Sequence, residues 1–217
     1  MTVSHLPEPA AAAIEGAIAA RIFPGCVLLV AAPGQPSLHV ACGSTMYDDA
    51  GSRPVAPGDI YDVASLTKVF TATAALVLHD RGQVALDREA RHYLPALRAR
   101  GVTVRHLLTH SSGLDLRLSA LRAGGREGIM AAVHAAEPLR PPGSFVAYTN
   151  INSLLLGEIV AVATGRPLDA ALHELLLGPL GLSETGFNPP AALAPRIPPT
   201  EWDEAWRGGL VHGGVHD

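Results

Sequence analysis

The clearest strand pattern of this 217-residue chain lies in two neighbouring stretches near its start. Residues 26–32 and 38–43 are apolar runs separated by Pro33-Gly34-Gln35-Pro36-Ser37, a spacer of turn-forming residues, and they read as a hairpin. Two strands alone are marginal, so the hairpin needs more sheet or a helix to pack against. One helix is at hand: residues 7–21 are Ala-rich, with Ile14, Ile18 and Ile22 spaced four apart on one face. Residues 60–63 read as a further short strand. Beyond them every periodic segment reads as helix: 65–79 closed by Gly82, 104–109 capped by Thr103, 126–136, 150–164 ending at Gly165, and 167–177 ending near Gly178. Residues 188–199 are rich in Pro and Ala, and Trp202 and Trp206 follow. The chain is therefore an α/β (α+β) protein with a strand-bearing start and a long helical part.

Composition removes several functional classes. Apolar residues make up 48% and charged residues only 17%, below the roughly 25% usual for soluble domains, which excludes a disordered chain. The net charge is −4 with no basic run, so a nucleic-acid partner is not expected. No apolar run is long enough for a membrane span, and the N-terminus lacks a basic signal region, so the expected location is the cytoplasm. The two cysteines, Cys26 and Cys42, are placed symmetrically about Gly34 and could face each other across the hairpin; free thiols are the ordinary expectation in such a compartment, and a disulfide is the alternative.

Of the 16 basic residues only Lys68 is a lysine. Arginine keeps its proton in proteins, whereas a lysine can release one. Lys68 closes Ser65-Leu66-Thr67-Lys68 at the head of the 65–79 helix, and a spacing of three puts both side chains on one face. A serine hydroxyl needs an adjacent base to act as a nucleophile. The positive end of a helix, with burial, would disfavour the ammonium form and free the amine for that task. The plain alternative is a serine N-cap beside a surface lysine. Tyr148-Thr149-Asn150 precedes the 150–164 helix. It reads either as a turn with Asn150 as N-cap or as a phenol and an amide presented to a cleft by the Arg140-Pro141-Pro142-Gly143 turn. His106 and His110 have the spacing of helical metal ligands, but no Glu accompanies them and no Cys/His cluster exists; no metal and no cofactor is expected. A G-x-S-x-G elbow is absent, which excludes an α/β-hydrolase.

Together these pieces resemble the serine β-lactamase and penicillin-binding-protein-like hydrolases, most closely the class C β-lactamase-related esterases and peptidases. The resemblance is carried by Asp62-Val63-Ala64-Ser65-Leu66-Thr67-Lys68, by Gly82-Gln83-Val84-Ala85-Leu86-Asp87 and by the box Leu107-Leu108-Thr109-His110-Ser111-Ser112-Gly113-Leu114. It continues through Pro142-Gly143 to Tyr148-Thr149-Asn150, then Leu156-Gly157, Thr164-Gly165-Arg166-Pro167 and Pro179-Leu180-Gly181-Leu182. It implies a β-lactamase/transpeptidase-like fold: an antiparallel sheet flanked by helices, plus a helical lobe. On that pattern residues 1–217 form one domain, divided into 1–62 (first helix and first two strands), 63–190 (nucleophile helix and lobe) and 191–217 (return segment).

The resemblance also implies roles: Ser65 as the acylated nucleophile, Lys68 as its base, Tyr148 as the proton relay to the leaving group, and Asn150 as a hydrogen-bond partner of Lys68 or of the substrate amide. The Ser65 backbone N–H would be one oxyanion donor. His106 and His110 become structural. The implied substrates are small-molecule esters, β-lactams or D-alanyl peptides, with an ester leading. The departure is at the C-terminus, where the family's Lys/His-Thr/Ser-Gly motif has no good counterpart. His212-Gly213-Gly214 comes nearest in letters, but Gly214-Val215-His216-Asp217 looks more like an earlier family stretch, which implies that the C-terminal strands of the sheet are missing. The rival expectation is thus an inactive truncated fragment, or a binding module that keeps the fold.

Overall fold

The computed structural model describes residues 6–47, 51–204 and 208–214. Trp206 and the Val215-His216-Asp217 end of the C-terminal motif lie outside them. The chain groups into two compact units, Met1–Ala64 with Asn188–Asp217, and Ser65–Phe187.

In the first unit α1 (Glu8–Ala19) packs on the hairpin of β1 (Gly25–Val30) and β2 (Leu38–Gly43). The strands are antiparallel with Cys26 opposite Cys42, the register that the spacing about Gly34 predicts. Val40 and Cys42 are buried on the face that receives Ile14 and Ile18, whereas Ile22, third in the predicted stripe, lies past the helix end and is exposed. Both thiols are free, and burial, with the adjacent Cys42, pushes the Cys26 thiol up from its ordinary value.

Two expectations for this unit need correction. Residues 60–63 form no strand: Ile60 N–H donates to Arg196 O at 2.8 Å, and two residues later the Asp62 carboxylate accepts Ala64 N–H at 2.7 Å and bends the chain. A strand pair that the sequence pattern does not reveal exists instead, β3 (Glu201–Asp203) with β4 (Gly209–Val211), antiparallel. Three residues per strand are too few to display alternation. The 191–196 turn is tied to the loop before Ser65: Arg53 binds both Asp59 oxygens, at 2.7 and 2.9 Å, and also Pro195 O, while Arg196 donates to Gly58 O. Burial raises the Asp59 carboxyl, but Arg53, the Ala56 N–H and Arg196 outweigh it and hold it below the usual carboxylate range.

The second unit is helical: α2 (Thr67–Asp80), α3 (Val104–Leu108), α4 (Gly125–Ala135), α5 (Asn150–Thr164) and α6 (Leu168–Leu172), the last continuing as a π-helical turn over His173–Leu177. Thr103 caps α3 as predicted, in a reciprocal capping box with His106. Gly165 ends α5 in the left-handed conformation. The core is built from Ala74, Ala75 and Leu78 of α2, Leu107 of α3, and Ile151, Leu155 and Ile159 of α5. In this core α5 packs on both α2 and α3. Among the described residues no helix is long and apolar enough to cross a membrane.

Candidate active site

Ser65 sits in a 3-10 turn, Ala64–Leu66, that runs directly into α2, so it precedes the α-helix rather than opening it. Ala64 takes a positive φ of 43°, uncommon for a residue with a Cβ, and Ser65 is exposed on the resulting corner. Lys68, half-buried in the first turn of α2, donates from Nζ to Ser65 Oγ at 2.9 Å. The same Nζ lies 5.1 Å from the centroid of the Tyr148 ring, within cation–π range. Three of the four candidate residues therefore meet at one place, contributed by the start of α2 and the segment before α5.

Asn150 is the first residue of α5, and Thr149 takes the N-cap position that the plain reading gave to Asn150. Among the described residues Lys68 and Asn150 share no hydrogen bond; Ser65 Oγ is the partner of Lys68 Nζ.

Two residues that carried no catalytic expectation organise the Tyr148 segment. The His110 ring stacks on Tyr148 with centroids 4.8 Å apart and planes tilted by 31°. Its backbone O accepts Ala147 N–H at 2.9 Å, and its Nδ1 lies 3.3 Å from Thr149 N–H. Asn152, 1% exposed, donates from Nδ2 to Thr149 Oγ1 at 2.9 Å, lies 3.3 Å from His110 Nδ1, and accepts from Ser112 Oγ. Burial, with the charge of Lys68 second, lowers the His110 pKa below the ordinary imidazole value. The paired-ligand geometry considered for His106 and His110 does not form, because α3 stops at Leu108 and His110 turns into the left-handed region with φ 53°. His106 Nδ1 accepts Thr103 N–H instead. Among the described residues no group of His, Cys, Asp or Glu is placed to hold a metal.

The turn that delivers Tyr148 is bound to the stretch after α3. Gly143 N–H donates to Ser111 O at 2.7 Å and Leu139 N–H to Gly113 O at 2.9 Å. Gly113 has φ 75°, and a Cβ there would collide with Arg140 O, so only glycine lets the two segments approach this closely.

The chain is similar to known proteins. A crystal structure of a class C β-lactamase superposes with a TM-score of 0.76 and 28% identity, over 92% of this chain and 55% of that one. The fold is thus the β-lactamase/transpeptidase-like fold that the resemblance implies. A family model described as Beta-lactamase matches residues 10–217, and the chain belongs to that family. Esterase EstB of Burkholderia gladioli is 34% identical over 201 residues, 81% of this chain and 50% of the esterase. Penicillin-binding protein 4 of Amycolatopsis lactamdurans is 31% identical over 183 residues, 80% of this chain and 47% of that protein. The chain spans about half the length of these curated relatives.

Proposed function

We propose that the protein is a serine hydrolase that acts through an acyl-enzyme on Ser65, with a carboxylic ester as substrate. The observation that supports this reading most directly is the 2.9 Å contact of Lys68 Nζ with Ser65 Oγ. In its neutral amine form Lys68 accepts the Ser65 hydroxyl proton as Oγ bonds to the ester carbonyl carbon, and the C–O bond to the leaving alcohol breaks as that oxygen takes a proton through the Tyr148 hydroxyl. Water then attacks the acyl carbon, its proton returns through the same groups, and the carboxylic acid leaves with Ser65 restored. The Ser65 backbone N–H acts as an oxyanion donor, and Asn150 holds a polar group of the substrate. Phe145 and Val146, exposed just ahead of Tyr148, offer apolar contact to an ester chain.

A fluorophosphonate probe is expected to label the chain at Ser65, read by peptide mass mapping, and p-nitrophenyl esters to be turned over faster than a chromogenic cephalosporin. Label on any other residue overturns the nucleophile, and the reverse substrate preference overturns the ester. Tyr148→Phe should lower ester turnover on the order of 100-fold, as for loss of a proton-transfer group. The midpoint of urea unfolding should not move, because the ring is 63% exposed and only a hydroxyl is lost. Equal turnover by the variant removes Tyr148 from the proton path.

A further inference from the structure

We propose that His110 is a positioning residue for Tyr148: as a neutral imidazole that accepts Thr149 N–H on Nδ1 and stacks on the phenol ring, it holds Tyr148 beside Lys68. The inference rests on the hydrolase reading above and adds a residue to it. Thr149 is the N-cap of α5, ahead of the first N–H that an intrahelical carbonyl can satisfy, so its own N–H takes an acceptor from outside the helix. His110 Nδ1 lies 3.3 Å away, and a second N–H donor, Asn152 Nδ2, approaches the same atom at 3.3 Å. A nitrogen facing two donors is unprotonated, so the ring proton sits on Nε2. A proton on Nδ1 would set donor against donor and push the 148–149 backbone away.

Three features hold the ring in place. His110 occupies the left-handed region with φ 53°, a conformation that costs energy for a residue with a Cβ and marks a constrained position. Its carbonyl accepts Ala147 N–H, so backbone and ring grip the chain on both sides of Tyr148. Asn152 is locked in turn by Ser112 Oγ, which also accepts Leu114 N–H at 3.1 Å.

The charged group that acts on His110 is Lys68 of α2; the 144–149 segment faces it with the Tyr148 phenol, and α5 with the uncharged Asn152. His106, on α3, is engaged with Thr103. Burial and Lys68 both favour the neutral ring. The sign follows: the support His110 gives is complete above its ordinary value near 6.5 and is lost as pH falls from there through the lower folded value.

The test is a double-mutant cycle on the turnover at pH 8 of a carboxylic ester with an alkyl alcohol as leaving group, whose oxygen takes its proton through Tyr148. His110→Ala is expected to slow this turnover about 10-fold, since a misplaced catalytic group costs one to two orders of magnitude. In a Tyr148→Phe background the same change should add less than about 2-fold, because a residue acting through Tyr148 has nothing left to position. His110→Asn, which tolerates the left-handed backbone and keeps an acceptor, should recover most of the wild-type rate. Two independent losses that multiply, or no rescue by Asn, overturn the proposal. Should His110→Ala fail to fold, nitrogen-15 NMR of the wild-type imidazole decides: a bare Nδ1 at pH 7.5 is expected, and a protonated Nδ1 overturns it. Labelling that survives Ser65→Ala defeats the hydrolase reading itself. Ester turnover that needs Ser65 and Lys68 but ignores His110 defeats this inference alone.

Discussion

Lys68→Arg is expected to slow covalent labelling of Ser65 by at least ~100-fold, the scale of a lost general base, and Ser65→Ala to abolish it. Arginine keeps a positive charge near the Tyr148 ring and most of the side-chain length, so the cation–π contact and the local field survive. What it loses is the ability to give up its proton, and with it the ability to accept one from Ser65 Oγ. Stopped-assay labelling at pH 8, with the modified peptide quantified by mass spectrometry, checks both statements. Near-normal labelling of the arginine variant makes Lys68 a counter-charge and moves the base elsewhere.

The Ser65–Lys68 contact was legible because it needs only local geometry: three residues apart at a helix head, the side chains meet whatever the rest of the chain does. The hairpin register was legible for a similar reason, since the spacing about Gly34 sets Cys26 against Cys42. Tyr148 was legible only through the family resemblance, because the packing of α2 on α5 that brings it to Lys68 is long-range. The structural part expected of His110 is what its bonds to the 147–149 backbone show, and its spacing of four from His106 makes no pair because α3 ends two residues earlier. The signal was present in Thr109-His110-Ser111-Ser112-Gly113, a polar run with a glycine of the kind that terminates helices. Asn152 also left a trace, as a polar residue at the start of an otherwise apolar helix; buried polar side chains are hydrogen-bonded, and its bonds run to Ser112 and Thr149. The strands β3 and β4 left none, and the 60–63 segment was apolar enough to pass for a strand while its backbone bonds lead to Arg196 and Asp62.

Leu155→Ala should be strongly destabilising, costing about 2–5 kcal/mol. Leu155 is fully buried one turn into α5, in the cluster that α5 shares with α2 and α3. Truncation removes apolar contact and leaves a cavity that neighbours such as Ile151 and Ile159, locked in the same helix, fill poorly. Against a typical stability of about 5–15 kcal/mol the loss is large, and it acts on the packing that sets the Tyr148 segment opposite Lys68. Val162, near the end of the same helix, is 55% exposed, so Val162→Ala should change stability by less than about 0.5 kcal/mol. Urea unfolding of both variants, followed by far-UV circular dichroism, separates the two cases. A Leu155→Ala midpoint equal to that of Val162→Ala shows that α5 is not clamped by this core. The approach of Tyr148 to Lys68 must then depend on the loop contacts of His110, Ser111 and Gly113 alone.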